Sequence, residues 1–208
     1  MTGAETYDPT TALVVVDVQN DFTDPAGGLA VADAEAILPE VNARVAACRD
    51  AGGLVVYTQD WHPPRTPHFA TDGGPWPVHC VAGTWGAELH PGLVVDGPVV
   101  RKGVGGEDGY SGFSVRDPVS GEVDRTELGG LLDAHGVGRV VVVGLAGDVC
   151  VAATAEDAAT LGYAVTVPLA ATRMVELHPG DGARAVERLR AAGVEVVGAG
   201  TTEATGAP

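Results

Sequence analysis

The sequence predicts an α/β fold of three layers: an open, six-stranded, mostly parallel sheet with helices on both faces. Three observations carry this. Short β-branched runs, chiefly ALVVVDV at 12–18 and RVVVV at 139–143, are apolar at consecutive positions, as strands buried on both faces must be. Helical patterns recur between such runs and supply the crossovers that parallel strands need. The chain has 208 residues, 45% of them hydrophobic, enough for one core of ordinary size.

Taken in order, residues 1–10 read as a flexible N-terminus, and the first strand follows at 12–18 with Asp17 near its C-terminal end. An acid there is costly unless it has partners or a task. DAEAILPEVNARVAACRDAGG (33–53) reads as a helix with Ile37, Val41, Val45 and Cys48 on one face and a Gly-Gly stop. The second strand, 54–58, ends at Gln59 and Asp60. From 61 to 98 periodicity vanishes, yet this stretch holds seven of fourteen prolines, all three tryptophans and four of six histidines. A loop so long and so stocked is a site-forming excursion rather than a linker. A third strand (98–102) ends at Lys102, and 103–122 is glycine-rich and loop-like. A short helix at 126–135 leads to the fourth strand, which breaks at Gly144. Cys150 then opens an alanine-rich helix that Gly162 stops. A fifth strand (163–167), a helix (181–192, Val186 and Leu189 inward) and a sixth strand (194–197) complete a single unit over 11–200, with a disordered tail at 201–208.

Composition narrows the function. A formal net charge of −16 argues against nucleic acid or an anionic membrane as partner. No apolar run nears the ~20 residues of a membrane span, and MTGAETYDP carries no signal-peptide pattern. Three scattered cysteines (Cys48, Cys80, Cys150) make no disulfide framework, so a reducing cytoplasm is expected. The oligomeric state stays open, a homo-oligomer included. Arginine occurs eleven times and lysine once, at Lys102. A lone amine points to a task that a guanidinium cannot do, with pKa tuning the obvious one.

Asp17, Asp60 and Lys102 each end a strand, and Cys150 opens the helix after the fourth. In an open parallel sheet these positions share the carboxyl edge, where ligands bind. Cys150, in a first helical turn and beside an ammonium, is expected to have a lowered pKa. Asp17 can accept the thiol proton and Lys102 can stabilise the thiolate. N–H groups around Ala146 and Cys150 suit an oxyanion hole. No G-x-G-x-x-G or Walker motif occurs, which disfavours nucleotides. Asp60 and His62, then His79 and His68, supply carboxylate and imidazole donors for zinc, iron or manganese. His68 could equally be a surface histidine. His90, His135 and His178 read as surface residues, and Cys48 as core filling.

The ordered motifs DVQNDF, QDWHP, WPVHC, AGTWGAELHP, VRKG, YSGF and GLAGDVC resemble the nicotinamidases of the isochorismatase-like cysteine hydrolases. The resemblance runs from about Asp17 through the helix after Cys150, and more weakly to the last strand. It implies an Asp17–Lys102–Cys150 triad and one divalent metal, zinc before iron or manganese, on Asp60, His62 and His79. His68 stands where a subset of the family adds a fourth ligand. The resemblance further implies Phe22 and Trp76 around the substrate ring, Leu29 and Tyr110 on the wall, and a cis peptide before Ala146 at the oxyanion hole. The implied reaction converts nicotinamide and water to nicotinate and ammonia through a thioester, with pyrazinamide-like rings also accepted. Departures fall at TDPAGG after Phe22, at Gly147, at Pro168 and at GVGGEDG after Lys102, all bearing on pocket shape. The rivals are a sister amidase acting on a ureido or carbamoyl compound without metal, and a non-catalytic metal-binding module.

Overall fold

The computed structural model describes residues 7–198. The tail expected at 201–208 and residues 1–6 of the expected N-terminal segment lie outside the described residues.

Strand β1 (Thr11–Val16) is fully buried and leads into a single helical turn, α1 (Asn20–Thr23). Helix α2 (Leu38–Asp50) is preceded by a 3-10 turn at Ala34–Ile37, because Pro39 suits the opening of an α-helix and not its interior. The single helix expected over 33–53 is thus divided. Strands β2 (Leu54–Asp60) and β3 (Val99–Lys102) flank the long excursion, which contains two short 3-10 turns at Ala70–Asp72 and Trp85–Ala87. The stretch expected to be loop carries part of a small antiparallel hairpin, β4 (Ser114–Arg116) with β5 (Val123–Arg125). Helix α3 (Leu128–Ala134), strand β6 (Arg139–Leu145), helix α4 (Cys150–Thr160), strand β7 (Ala164–Pro168), strand β8 (Thr172–Arg173), helix α5 (Asp181–Ala191) and strand β9 (Glu195–Val197) follow.

The main sheet has seven strands rather than six, in the order β3-β2-β1-β6-β7-β9 with β8 paired to the end of β6, and its pairings are parallel. The extra strand has two residues, too few to show any periodicity. Alternation along the strands divides the core in two. Ala12, Val14, Val16, Val140 and Val142 pack against α3, α4 and α5, whereas Leu13, Val15, Val141 and Val143 pack against α2. In α5 the inward residues are Ala185 and Leu189, with Val186 only half-buried, one position away from expectation.

Strand order reverses between β1 and β6. Gly144 does not end β6, as the sequence implied, but permits this close approach. Its φ is +109°, and a Cβ there would stand 2.1 Å from the Val16 carbonyl oxygen. The ends of β1 and β6 are therefore adjacent, and beside them lie β2 and then β3, in register Asp60 with Lys102. This is the crevice where open α/β sheets place their ligands.

Candidate active site

Chain reversal just past β1 puts Asp17 at φ +47°, with its carboxylate fully buried. Thr58 donates to Asp17 Oδ1 at 2.7 Å, and Lys102 Nζ lies 2.8 Å from Asp17 Oδ2. The same ammonium sits 2.5 Å from Asp60 Oδ1, donates to the Gly109 carbonyl and is 3.9 Å from Cys150 Sγ. Donor atoms of Asp17, Asp60 and Cys150 lie within 4.8 Å of one another. The four residues expected at the carboxyl edge thus converge.

Their electrostatics differ from expectation at the sulfur. Burial pushes the Cys150 thiol well up, and the Asp17 and Asp60 charges add to this, outweighing the Lys102 ammonium. The thiol is a protonated nucleophile that needs a base. Burial also raises Asp17 to about 6, with Lys102 pulling it down and Asp60 pushing it up. Burial works against the Lys102 ammonium, but the Asp17 and Asp60 carboxylates outweigh it and hold the amine charged well above its usual range. The lone lysine is a fixed cation, not a tuned base. For Asp60, burial is outweighed chiefly by the Lys102 ammonium, which keeps it ionised.

Asp60 also faces the imidazoles. Its Oδ2 is 3.8 Å from the Nε2 atoms of both His62 and His79. His62, His68 and His79 are buried, with ligand atoms within 4.8 Å of one another, so His68 joins the cluster rather than the surface. Both ring nitrogens of His62 are buried without a hydrogen-bond partner among the described residues, a costly state that a cation would relieve. Burial lowers His79 to about 4 and also lowers His68, leaving neutral rings with lone pairs for a metal. His79 Nδ1 is held by the Pro77 carbonyl at 2.7 Å. Gly103 (φ +71°) backs the His62 ring, where a Cβ would come within 2.4 Å of Cε1. Carboxylate, imidazoles and unsatisfied nitrogens suit a divalent ion. Of the histidines expected at the surface, His135 and His178 are exposed and His90 is half-buried.

A partly open cavity faces both groups. Phe22, Leu29, Trp76 and Tyr110 line it, together with Ala146 and Cys150. Trp76 Nε1 donates to the Tyr110 hydroxyl at 2.8 Å, joining the two loops over the cavity. The Leu145–Ala146 peptide is cis. The Ala146 carbonyl accepts the Val149 and Val151 N–H groups, and the Cys150 N–H heads α4, where no earlier turn of that helix offers a carbonyl.

Several contributors escaped the sequence reading. Val31, Val149 and Val175 also line the cavity. Gln19 Nε2 donates to the Asp60 and Ala87 carbonyls, while its Oε1 accepts the Asp60 N–H, pinning the end of β2. Asp148 accepts the Val175 and Glu176 N–H groups and holds that wall. The position of Gln19, two residues after Asp17, was the available signal; Val175 had none.

The isochorismatase domain family model matches residues 11–201. This chain belongs to that family. Among its relatives, a nicotinamidase of Acinetobacter baylyi is 39% identical over 206 residues, spanning 88% of this chain and 90% of its own. A pyrazinamidase of Pyrococcus horikoshii, solved in complex with zinc, superposes with a TM-score of 0.80 at 38% identity, covering 91% of this chain and 99% of that one. PnC1 of L. infantum, solved in complex with nicotinate, gives 0.84 at 38% identity, covering 93% and 95%. The shared family accounts for the mostly parallel sheet with helices.

Proposed function

We propose that the protein is a metal-dependent cysteine amidohydrolase that converts nicotinamide and water to nicotinate and ammonia, and also accepts pyrazinamide-like rings. One observation carries the reading: a buried thiol, ammonium and carboxylate meet beside a buried imidazole cluster, and both groups face one aromatic-lined cavity. The nicotinamidase relatives support this substrate over a ureido or carbamoyl compound.

Asp17, Lys102 and Cys150 form the reacting group. As Cys150 Sγ bonds to the carboxamide carbon, its proton passes to Asp17. The oxyanion that forms is held by the Ala146 and Cys150 N–H groups. The C–N bond then breaks, and the nitrogen leaves as ammonia with the proton from Asp17. Asp17 next takes a proton from water as the water oxygen bonds to the thioester carbon. The C–S bond breaks, the sulfur recovers the proton and nicotinate departs. Lys102 keeps its charge throughout and steadies both Asp17 and the transient thiolate.

Asp60, His62, His68 and His79 would hold one divalent ion, zinc first, which supplies a Lewis acid for the ring nitrogen. Phe22 and Trp76 flank the ring, and Leu29 and Tyr110 bound the wall. We place this chemistry in one unit spanning 11–200, with 61–98 as its site-forming loop. All three cysteines are free thiols, in keeping with a cytoplasmic enzyme; no described helix is long and apolar enough to cross a membrane.

An ammonia-release assay on nicotinamide, run beside a ureido substrate with and without chelator, tests the reading. Release from nicotinamide that stops on chelation and returns with zinc is expected. Release from the ureido compound alone, unaffected by chelation, overturns it.

A further inference from the structure

The three imidazoles are supported in three different ways. His79 has a neutral partner, the Pro77 carbonyl, and His62 has no hydrogen-bond partner among the described residues. His68 alone has a carboxylate: its Nδ1 lies 2.7 Å from Asp108 Oδ1, and both side chains are largely buried. Asp108 belongs to the glycine-rich loop after Lys102, a different segment from the one that carries His68. Its backbone is fixed on both sides, donating to the Arg116 carbonyl at 2.8 Å and accepting the Arg116 N–H at 3.0 Å. The two segments are also tied by Thr66, whose hydroxyl donates to the Gly106 carbonyl at 2.6 Å and accepts the His68 N–H. A carboxylate on Nδ1 fixes the proton there and leaves Nε2 as the ring nitrogen with a free lone pair. It also makes that lone pair more basic, and with Asp60 it brings the shell to two negative charges against a divalent cation.

We infer that Asp108 is a positioning residue that makes His68 a ligand, acting on the metal only through that imidazole. This rests on the metal-holding role proposed above for Asp60, His62, His68 and His79. It gives a role to the acid that the glycine-rich loop after Lys102 turns inward.

The test measures zinc affinity by chelator competition, and the visible spectrum after cobalt(II) substitution, for wild type, Asp108→Ala, Asp108→Asn, His68→Ala and the Asp108→Ala/His68→Ala double variant. Asp108→Ala should weaken zinc by about 10- to 100-fold and alter the cobalt bands. Asp108→Asn keeps the shape and an acceptor but not the charge, so it should fall between; it carries the test if the alanine variant does not fold. The double variant should bind zinc no more weakly than His68→Ala. Zinc affinity within twofold of wild type in both Asp108 variants overturns the inference, as does a further loss in the double variant, which would show Asp108 acting by another route. A wild-type protein that takes up no zinc overturns the metal site itself, and is told apart because every variant is then equally blank.

Discussion

Asp17, Lys102 and Cys150 stand just past a strand, at a strand end and in a first helical turn, where ladder register leaves little freedom: Asp60 pairs with Lys102, and Val16 with Gly144. His62, His68 and His79 instead come from the irregular segment after β2 and depend on single contacts, such as the Pro77 carbonyl, Asp108 and the backing of Gly103. In the first group the Lys102 ammonium compensates the buried Asp17 carboxylate, and in the second burial lowers His68 and His79. Asp60 belongs to both, with Oδ1 on the ammonium and Oδ2 toward the imidazoles. The groups proposed to react are thus fixed by the sheet and those proposed to hold an ion by loops, with one carboxylate joining them.

The comparison breaks most sharply at the sulfur. Cys150→Ala should lower ammonia release by about 10⁴-fold or more, since the nucleophile, base and cation act as a unit, while zinc content stays at the wild-type level. Loss of zinc in this variant would mean the two halves are not separable. His62→Ala works from the other side. It should release the metal and reduce nicotinamide hydrolysis by more than about 100-fold, beyond what outer-shell changes usually cost, with circular dichroism unchanged.

Two glycines sharpen the contrast. Gly144→Ala forces a Cβ against the backbone of β1 and should cost about 3 kcal/mol or more, at the upper end for single changes, read as a lower thermal midpoint with or without metal. Gly103→Ala presses on the His62 ring and should weaken zinc affinity more than it lowers the metal-free midpoint.

The reacting half also sets a pH dependence. The base must be ionised, so with Asp17 at about 6 kcat/KM should fall roughly tenfold per pH unit below that value. Stability runs the opposite way. Because the folded carboxyl binds its proton more tightly than the unfolded one, whose ordinary value is 3.8, its contribution is fully present below about 4 and is lost as pH rises through 6. Asp17→Asn should abolish the activity limb and flatten this part of the stability profile; an unchanged profile would locate the titration elsewhere. The smallest effect belongs to the pocket rim. Trp76→Phe keeps an aromatic face but removes the Tyr110 hydrogen bond, worth about 1 kcal/mol, and should raise KM a few-fold with kcat little altered.

Much of this was legible along the chain. RVVVV could only be a strand buried on both faces, and its helical partner starting at Cys150 put the sulfur at the carboxyl edge. The excess of tryptophan and histidine in 61–98 marked the excursion as a site. The two-residue β8 and the hairpin at 114–125 were not legible, because their pairing depends on distant partners rather than on local pattern. Asp108 was hidden for the same reason: an acid among glycines looks like any solvated turn until His68, forty residues earlier, is seen against it.

By itself the sequence determined the layered α/β fold and the acid, amine and thiol at strand and helix ends, because periodicity is a local property; the metal donors were implied by the family resemblance. Tertiary structure decided which way burial and neighbouring charges shift the buried groups. Burial raises the Cys150 thiol where its helical position and its lysine suggested the reverse, and it holds His79 neutral. Desolvation and paired charge depend on what the whole chain packs around a side chain, and no stretch of sequence contains that.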